Sequence, residues 1–117
     1  MLDTNSELNT LQHILEDIQA TDINIIDVRK HTAITDYMIV CSGRSSRHVR
    51  SIAEYVMEHM KAANIPPISY TGLENGEWAL IDFGDFIVHI FQPNIREFYN
   101  LEGLWQDNPP SVKDILS

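Results

Sequence analysis

The chain has 117 residues, 44% of them hydrophobic and 21% charged, which is the composition of one globular domain and makes disorder the lesser reading. A single domain of this length buries roughly two-thirds of its unfolded surface, enough for a core without disulfide staples. The formal net charge of −9 argues against a broad nucleic-acid surface, which needs clustered Lys and Arg to displace counterions.

The first expected element is a helix carrying Leu8, Leu11, Ile14 or Leu15, and Ile18 at helical spacing, with Asn5 or Ser6 as cap and an end near Ala20-Thr21-Asp22. Ile23 to Val28 is short and β-branched, and Tyr37 to Cys41 is a second strand run that Ser42-Gly43 ends. Val49, Ile52, Ala53, Val56, Met57 and Met60 then form one apolar stripe, giving a helix from about Ser46 to Ala63. Ser45 or Ser46 caps its start, and Asn64 with Pro66-Pro67 stops it. Three strands follow, Ile68 to Tyr70, Glu77 to Ile81 and Phe86 to Phe91, with turns at Asn75-Gly76 and Phe83-Gly84-Asp85. Pro93 opens a closing helix expected to run through Ile95, Phe98, Tyr99 and Leu101 to Gly103. Residues 1–107 make the single domain and 108–117 a loose C-terminal tail. Helices interleaved with strands give an α/β fold, a mixed sheet with helices on its faces.

No stretch of about 18 apolar residues is present to span a membrane. No secretory signal is expected from the N-terminal residues, and Cys41, the only cysteine, has no disulfide partner within the chain. A reducing, cytoplasmic setting is the expectation. Charge is uneven along the chain. Arg29 to Arg50 holds five bases (Arg29, Lys30, Arg44, Arg47, Arg50) against Asp36, whereas Thr71 to Asp107 holds seven acids against Arg96. The first stretch suits phosphate and the second a basic protein.

Ser42-Gly43-Arg44-Ser45-Ser46-Arg47-His48 turns a strand into a helix, where free amides and arginines attract anions. It is neither a Walker loop nor a G-x-G-x-x-G, so a capped helix start is the leading reading and a nucleotide-binding or nucleotidyltransferase-type enzyme using Gly43–His48 the alternative. Asp82-Phe83-Gly84-Asp85 is a hairpin turn. Its two acids flank a reversal, and the histidines lack metal-ligand spacing, so neither a metal nor another cofactor is expected. Alternation puts Trp78, Leu80 and Asp82 on one sheet face and Ala79 and Ile81 on the other, with His89 among apolar neighbours. A Trp with acids nearby has the make-up of an interface anchor, although a core Trp beneath a helix shares that pattern.

Three ordered blocks carry a resemblance over about Leu8 to Pro109. They are Asp27-Val28-Arg29 with Thr35 to Val49, then Trp78 to Phe91, then Arg96 to Trp105. Together they resemble the Iojap family, the ribosomal silencing factors. The resemblance implies a nucleotidyltransferase-like fold with a mixed five-stranded sheet. It implies binding to large-subunit ribosomal protein fourteen on the intersubunit face, steric blocking of small-subunit joining, and lowered translation under nutrient limitation. It also implies a homodimer when free. The related enzymes carry an Asp-x-Asp metal pair that this chain lacks, so the resemblance implies no catalytic residues. Thr71 stands where the family commonly has Glu, and Phe83 where it commonly has Tyr. The residues expected to meet the partner are Tyr70, Glu74, Trp78, Asp82, Gly84 and Asp85, together with Arg47, His48 and His89.

Overall fold

A computed structural model describes residues 4–100. The elements run α1 (Thr4–Asp17), β1 (Thr21–Asp27), β2 (Tyr37–Ser42), α2 (Ser46–Ala62), β3 (Ser69–Thr71), β4 (Trp78–Asp82), β5 (Phe86–Phe91) and α3 (Pro93–Tyr99). The strands form one five-stranded sheet in the order β1-β2-β5-β4-β3. Among the described residues only β2 and β5 pair in parallel; the other neighbours are antiparallel, so the sheet is mixed.

Hydrophobic pattern explains this order. Every residue of β5 is buried, as is nearly all of β2, because an unbroken apolar run suits a strand covered on both faces. β4 alternates between buried and half-buried positions, and β3, wholly exposed, takes an edge. On one face Leu8, Leu11, Ile14 and Leu15 of α1 join Val49, Ile52, Ala53, Val56 and Met60 of α2 over Ile39, Cys41, Ala79, Ile81, Val88 and Ile90. The opposite face holds a smaller cluster of Val28, Met38, Val40, Ile87 and Phe91, flanked by Trp78, Leu80 and Ile95 of α3.

α2 starts and stops as its sequence dictates. Ser45 Oγ accepts the His48 amide at 3.1 Å. At the other end Asn64 is left-handed (φ 67°) and the Ile65 amide reaches back to the Met60 carbonyl at 2.8 Å, a Schellman-type stop. α3 departs from expectation. It ends at Tyr99, where Asn100 turns left-handed (φ 46°), and not at Gly103, which lies outside the described residues with the tail and Trp105. A left-handed residue stops the helical ladder wherever the chain can accommodate it, and Asn tolerates that conformation well.

The candidate partner-binding face

The connection from β3 to β4 shapes one end of the sheet. Gly72 has φ +86°, and a Cβ there would lie 2.0 Å from the Trp78 carbonyl oxygen. Gly76 rests on Ser46 at the start of α2, where a Cβ would come 2.5 Å from a backbone oxygen. Gln92 fastens the loop by donating from Nε2 to the Gly76 carbonyl (2.9 Å), and Arg50 Nη1 reaches the Glu74 carbonyl (3.3 Å). The Glu74 carboxylate remains exposed. Tyr70 to Asn75 line a shallow open depression of about 440 Å³.

Trp78 is half-buried on the α3 side of the sheet. Its indole stacks on Phe91 (centroids 4.7 Å apart, planes at 30°), and Nε1 donates to His89 Nδ1 at 2.9 Å. His89 is fully buried, and burial alone pushes its pKa from 6.5 down to about 3. His89 therefore presents nothing to a partner, contrary to its place among the expected contacts; it lies beneath Trp78. His48 is corrected in the same way. It is 8% exposed, takes the Arg44 amide on Nδ1 (3.0 Å) and directs Nε2 at the Ile18 carbonyl (3.0 Å), clamping the end of α1 to α2. Arg47 is exposed beside it.

The expected contacts do not form one patch. Tyr70 pairs with Ile81, which puts it on the α1–α2 side, whereas Trp78, Leu80 and Asp82 look to the α3 side. Asp82 lies four residues along β4 from Trp78, roughly 14 Å at strand rise. Its Oδ1 accepts the Gly84 amide (2.7 Å), so this carboxylate fastens the turn. The Asp85 carbonyl receives the Asp36 and Tyr37 amides (3.0 and 3.1 Å), leaving its side chain exposed. The basic stretch divides likewise. Arg29 and Lys30 precede β2, while Arg44, Arg47 and Arg50 follow it, roughly 17 Å away along the strand. Arg29 is further engaged with Asp27 (2.6 Å), whose carboxyl it holds down at about 2.

An anion at the start of α2 would find four amides already taken. Gly43 donates to the Phe91 carbonyl, Arg44 to His48, His48 to Ser45 Oγ and Val49 to the Ser45 carbonyl. Asp17, Arg44, Arg47 and Ser51 help line an open pocket of about 390 Å³ there. Phe91, Gln92 and Arg96, whose Nη1 donates to Ser42 Oγ at 2.8 Å, were not among the expected site residues. The alternation of β5 gives the signal for Phe91, since it falls on the face of Trp78 once the strands are aligned. Nothing local marks Gln92 or Arg96. No helix among the described residues is long and apolar enough to cross a membrane.

The family model for the ribosomal silencing factor during starvation, RsfS, matches residues 2–117. Ribosomal silencing factor RsfS of Zymomonas mobilis is 39% identical over 107 residues, spanning 88% of this chain and 80% of that protein. RsfS of Chromobacterium violaceum is 40% identical over 97 residues, 83% of this chain and 80% of that one. A crystal structure of a protein from Chromobacterium violaceum superimposes with a TM-score of 0.87 at 35% identity, covering 94% of this chain and 92% of that one. The chain belongs to the ribosomal silencing factor family.

Proposed function

We propose that this protein represses translation by docking on ribosomal protein fourteen of the large subunit, at the intersubunit face, where it obstructs joining of the small subunit. It acts by occupying space and catalyses no reaction. The observation that carries the reading is the family match across residues 2–117. The Trp78 end supplies the physical means: a half-buried indole braced on Phe91, at the end of the sheet that also carries the exposed Glu74 and Glu77, which suit a basic ribosomal protein. Tyr70 on edge strand β3, and Gly84 and Asp85 at the opposite end of β4, are proposed as further, separate contacts. The free protein is proposed to be a homodimer working in the compartment of its ribosomes.

Sucrose-gradient sedimentation with separated subunits tests this. The wild-type protein should travel with large subunits and reduce their joining to small subunits. The variant Trp78→Ala/Asp85→Lys, with its fold checked by circular dichroism, should lose both effects. Glu74→Lys, which alters an exposed carboxylate, should weaken them. Unchanged co-sedimentation of the double variant would sink the proposed face, and undiminished subunit joining at saturating wild-type protein would sink the mechanism.

A further inference from the structure

Two observations about His89 sit uneasily together. Its Nε2 is buried with no hydrogen-bond partner among the described residues, a state that native proteins rarely leave uncompensated. Its Nδ1 nevertheless makes a short, well-formed bond to the indole of Trp78. The residue lies directly between Val40 of β2 and Leu80 of β4, among apolar neighbours, where an aliphatic side chain would avoid the orphaned donor entirely. What the imidazole supplies that leucine cannot is one acceptor, aimed at Trp78. We infer that His89 is the positioning residue of the proposed binding face, holding the Trp78 indole in the orientation the partner meets. This rests on the reading of Trp78 as a contact.

The geometry follows from register. Trp78 pairs with Phe91 across β4 and β5, so His89, two residues earlier on β5, is its diagonal neighbour on the same face. The imidazole and indole centroids are 5.7 Å apart, and the imidazole lies nearly parallel to the Phe91 ring, 11° between planes at 6.0 Å. Trp78 is thereby fixed twice, by the Phe91 stack against its ring and by His89 at its polar tip. Because Nδ1 accepts, the proton of the neutral ring sits on Nε2, and the orphaned atom is the consequence of that tautomer. Burial keeps the ring neutral, so the acceptor persists through the physiological range. An indole already held in its bound orientation gives up less side-chain freedom on association, and the saving appears as affinity.

Two variants separate positioning from packing. His89→Asn places an amide oxygen where Nδ1 stood but removes volume from the core. His89→Leu fills the space and offers no acceptor. Packing alone ranks leucine at or above asparagine in every measurement. Positioning reverses the ranking for binding and leaves it standing for stability. Melting temperature, affinity for purified large subunits, and the ¹H–¹⁵N signal of the Trp78 indole (assigned by its loss in Trp78→Phe) are the three readouts. His89→Asn should bind within about twofold of wild type, and His89→Leu about fivefold to tenfold more weakly, the worth of one neutral hydrogen bond. The indole proton should move upfield in the leucine variant only. Wild-type affinity in His89→Leu, with Trp78→Ala impaired, overturns the inference and leaves the proposed face standing. Wild-type affinity in Trp78→Ala overturns both.

Discussion

Replacing His89 with leucine should flatten the acid limb of the stability curve. The imidazole is fully buried and its pKa falls from 6.5 to about 3. Between those values the unfolded chain carries a proton that the folded chain refuses. The unfolded state thus binds more protons, so stability rises with pH through this window and is lost as pH falls from 6.5 towards about 3. Each pH unit fully inside the window costs about 1.4 kcal/mol. The descent from pH 7 to pH 5 begins above the window, so it removes about 2 kcal/mol. That is a large share of a domain's usual stability of about 5–15 kcal/mol. Leucine binds no proton in either state, and the other four histidines are common to both proteins and cancel. Asp27, held at about 2 by Arg29, stays ionised throughout. Urea unfolding followed by circular dichroism at pH 7, 6 and 5, at fixed ionic strength, gives the comparison. The variant should gain about 2 kcal/mol on wild type across the series. Parallel losses in the two proteins would mean that His89 charges in place, and the account of a neutral, buried acceptor would fail.

Other parts of the fold yield equally direct expectations. Gly72→Ala places a Cβ 2.0 Å from the Trp78 carbonyl at φ +86°, and should cost at least about 3 kcal/mol in urea unfolding; a loss below about 1 kcal/mol would show that the loop simply shifts. Ser45→Ala removes the acceptor for the His48 amide and should cost about 1 kcal/mol, with Ser45→Asp recovering most of it in thermal melts. Cys41 is wholly buried, and desolvation pushes its thiol up to about 12 despite the nearby Arg96 cation. Thiol labelling at pH 8 should therefore proceed only through unfolding and accelerate with urea, whereas rapid labelling of the native protein would contradict that burial.

Much of the fold was legible because burial writes itself into residue order. The Phe86–Phe91 run reads as a strand, the alternation in Trp78–Asp82 gives both of its faces, and the stripe from Val49 to Met60 gives α2 with its Asn64 stop and a cap at Ser45 or Ser46 that the structure assigns to Ser45. The site was less legible, because alternation assigns faces but not partners. Tyr70 and Trp78 are both expected to meet the partner, yet the β3–β4 register pairs Tyr70 with Ile81 on the other side. His89 and His48 read as polar groups available to a partner, yet each is committed to a bond that depends on elements far away in sequence, Trp78 in one case and Ile18 in the other. Only the assembled sheet reveals such bonds. The end of α3 was missed for a local reason, since Asn100 adopts the left-handed conformation ahead of the glycine that usually takes it.

Chain order also misleads about charge, and the correction narrows the proposed interaction. Along the sequence the bases precede the acids, which suggests one positive and one negative surface. The fold distributes both signs to both ends of the sheet. Glu74 and Glu77 share the Trp78 end with Arg44, Arg47, Arg50 and Arg96, and Asp36, Asp82 and Asp85 share the other with Arg29 and Lys30. A net charge of −9 still biases the whole molecule towards basic partners and speeds their approach. It cannot by itself choose an end, because neither is uniformly acidic. What distinguishes the Trp78 end is an aromatic side chain stacked on Phe91 and hydrogen-bonded to His89, at an end of the sheet that carries both signs of charge, and this is why it is the proposed anchor. On the proposed reading charge would supply the encounter and the register and the braced indole the affinity, so the bracing residues would matter as much as the acids that the composition first brought to notice.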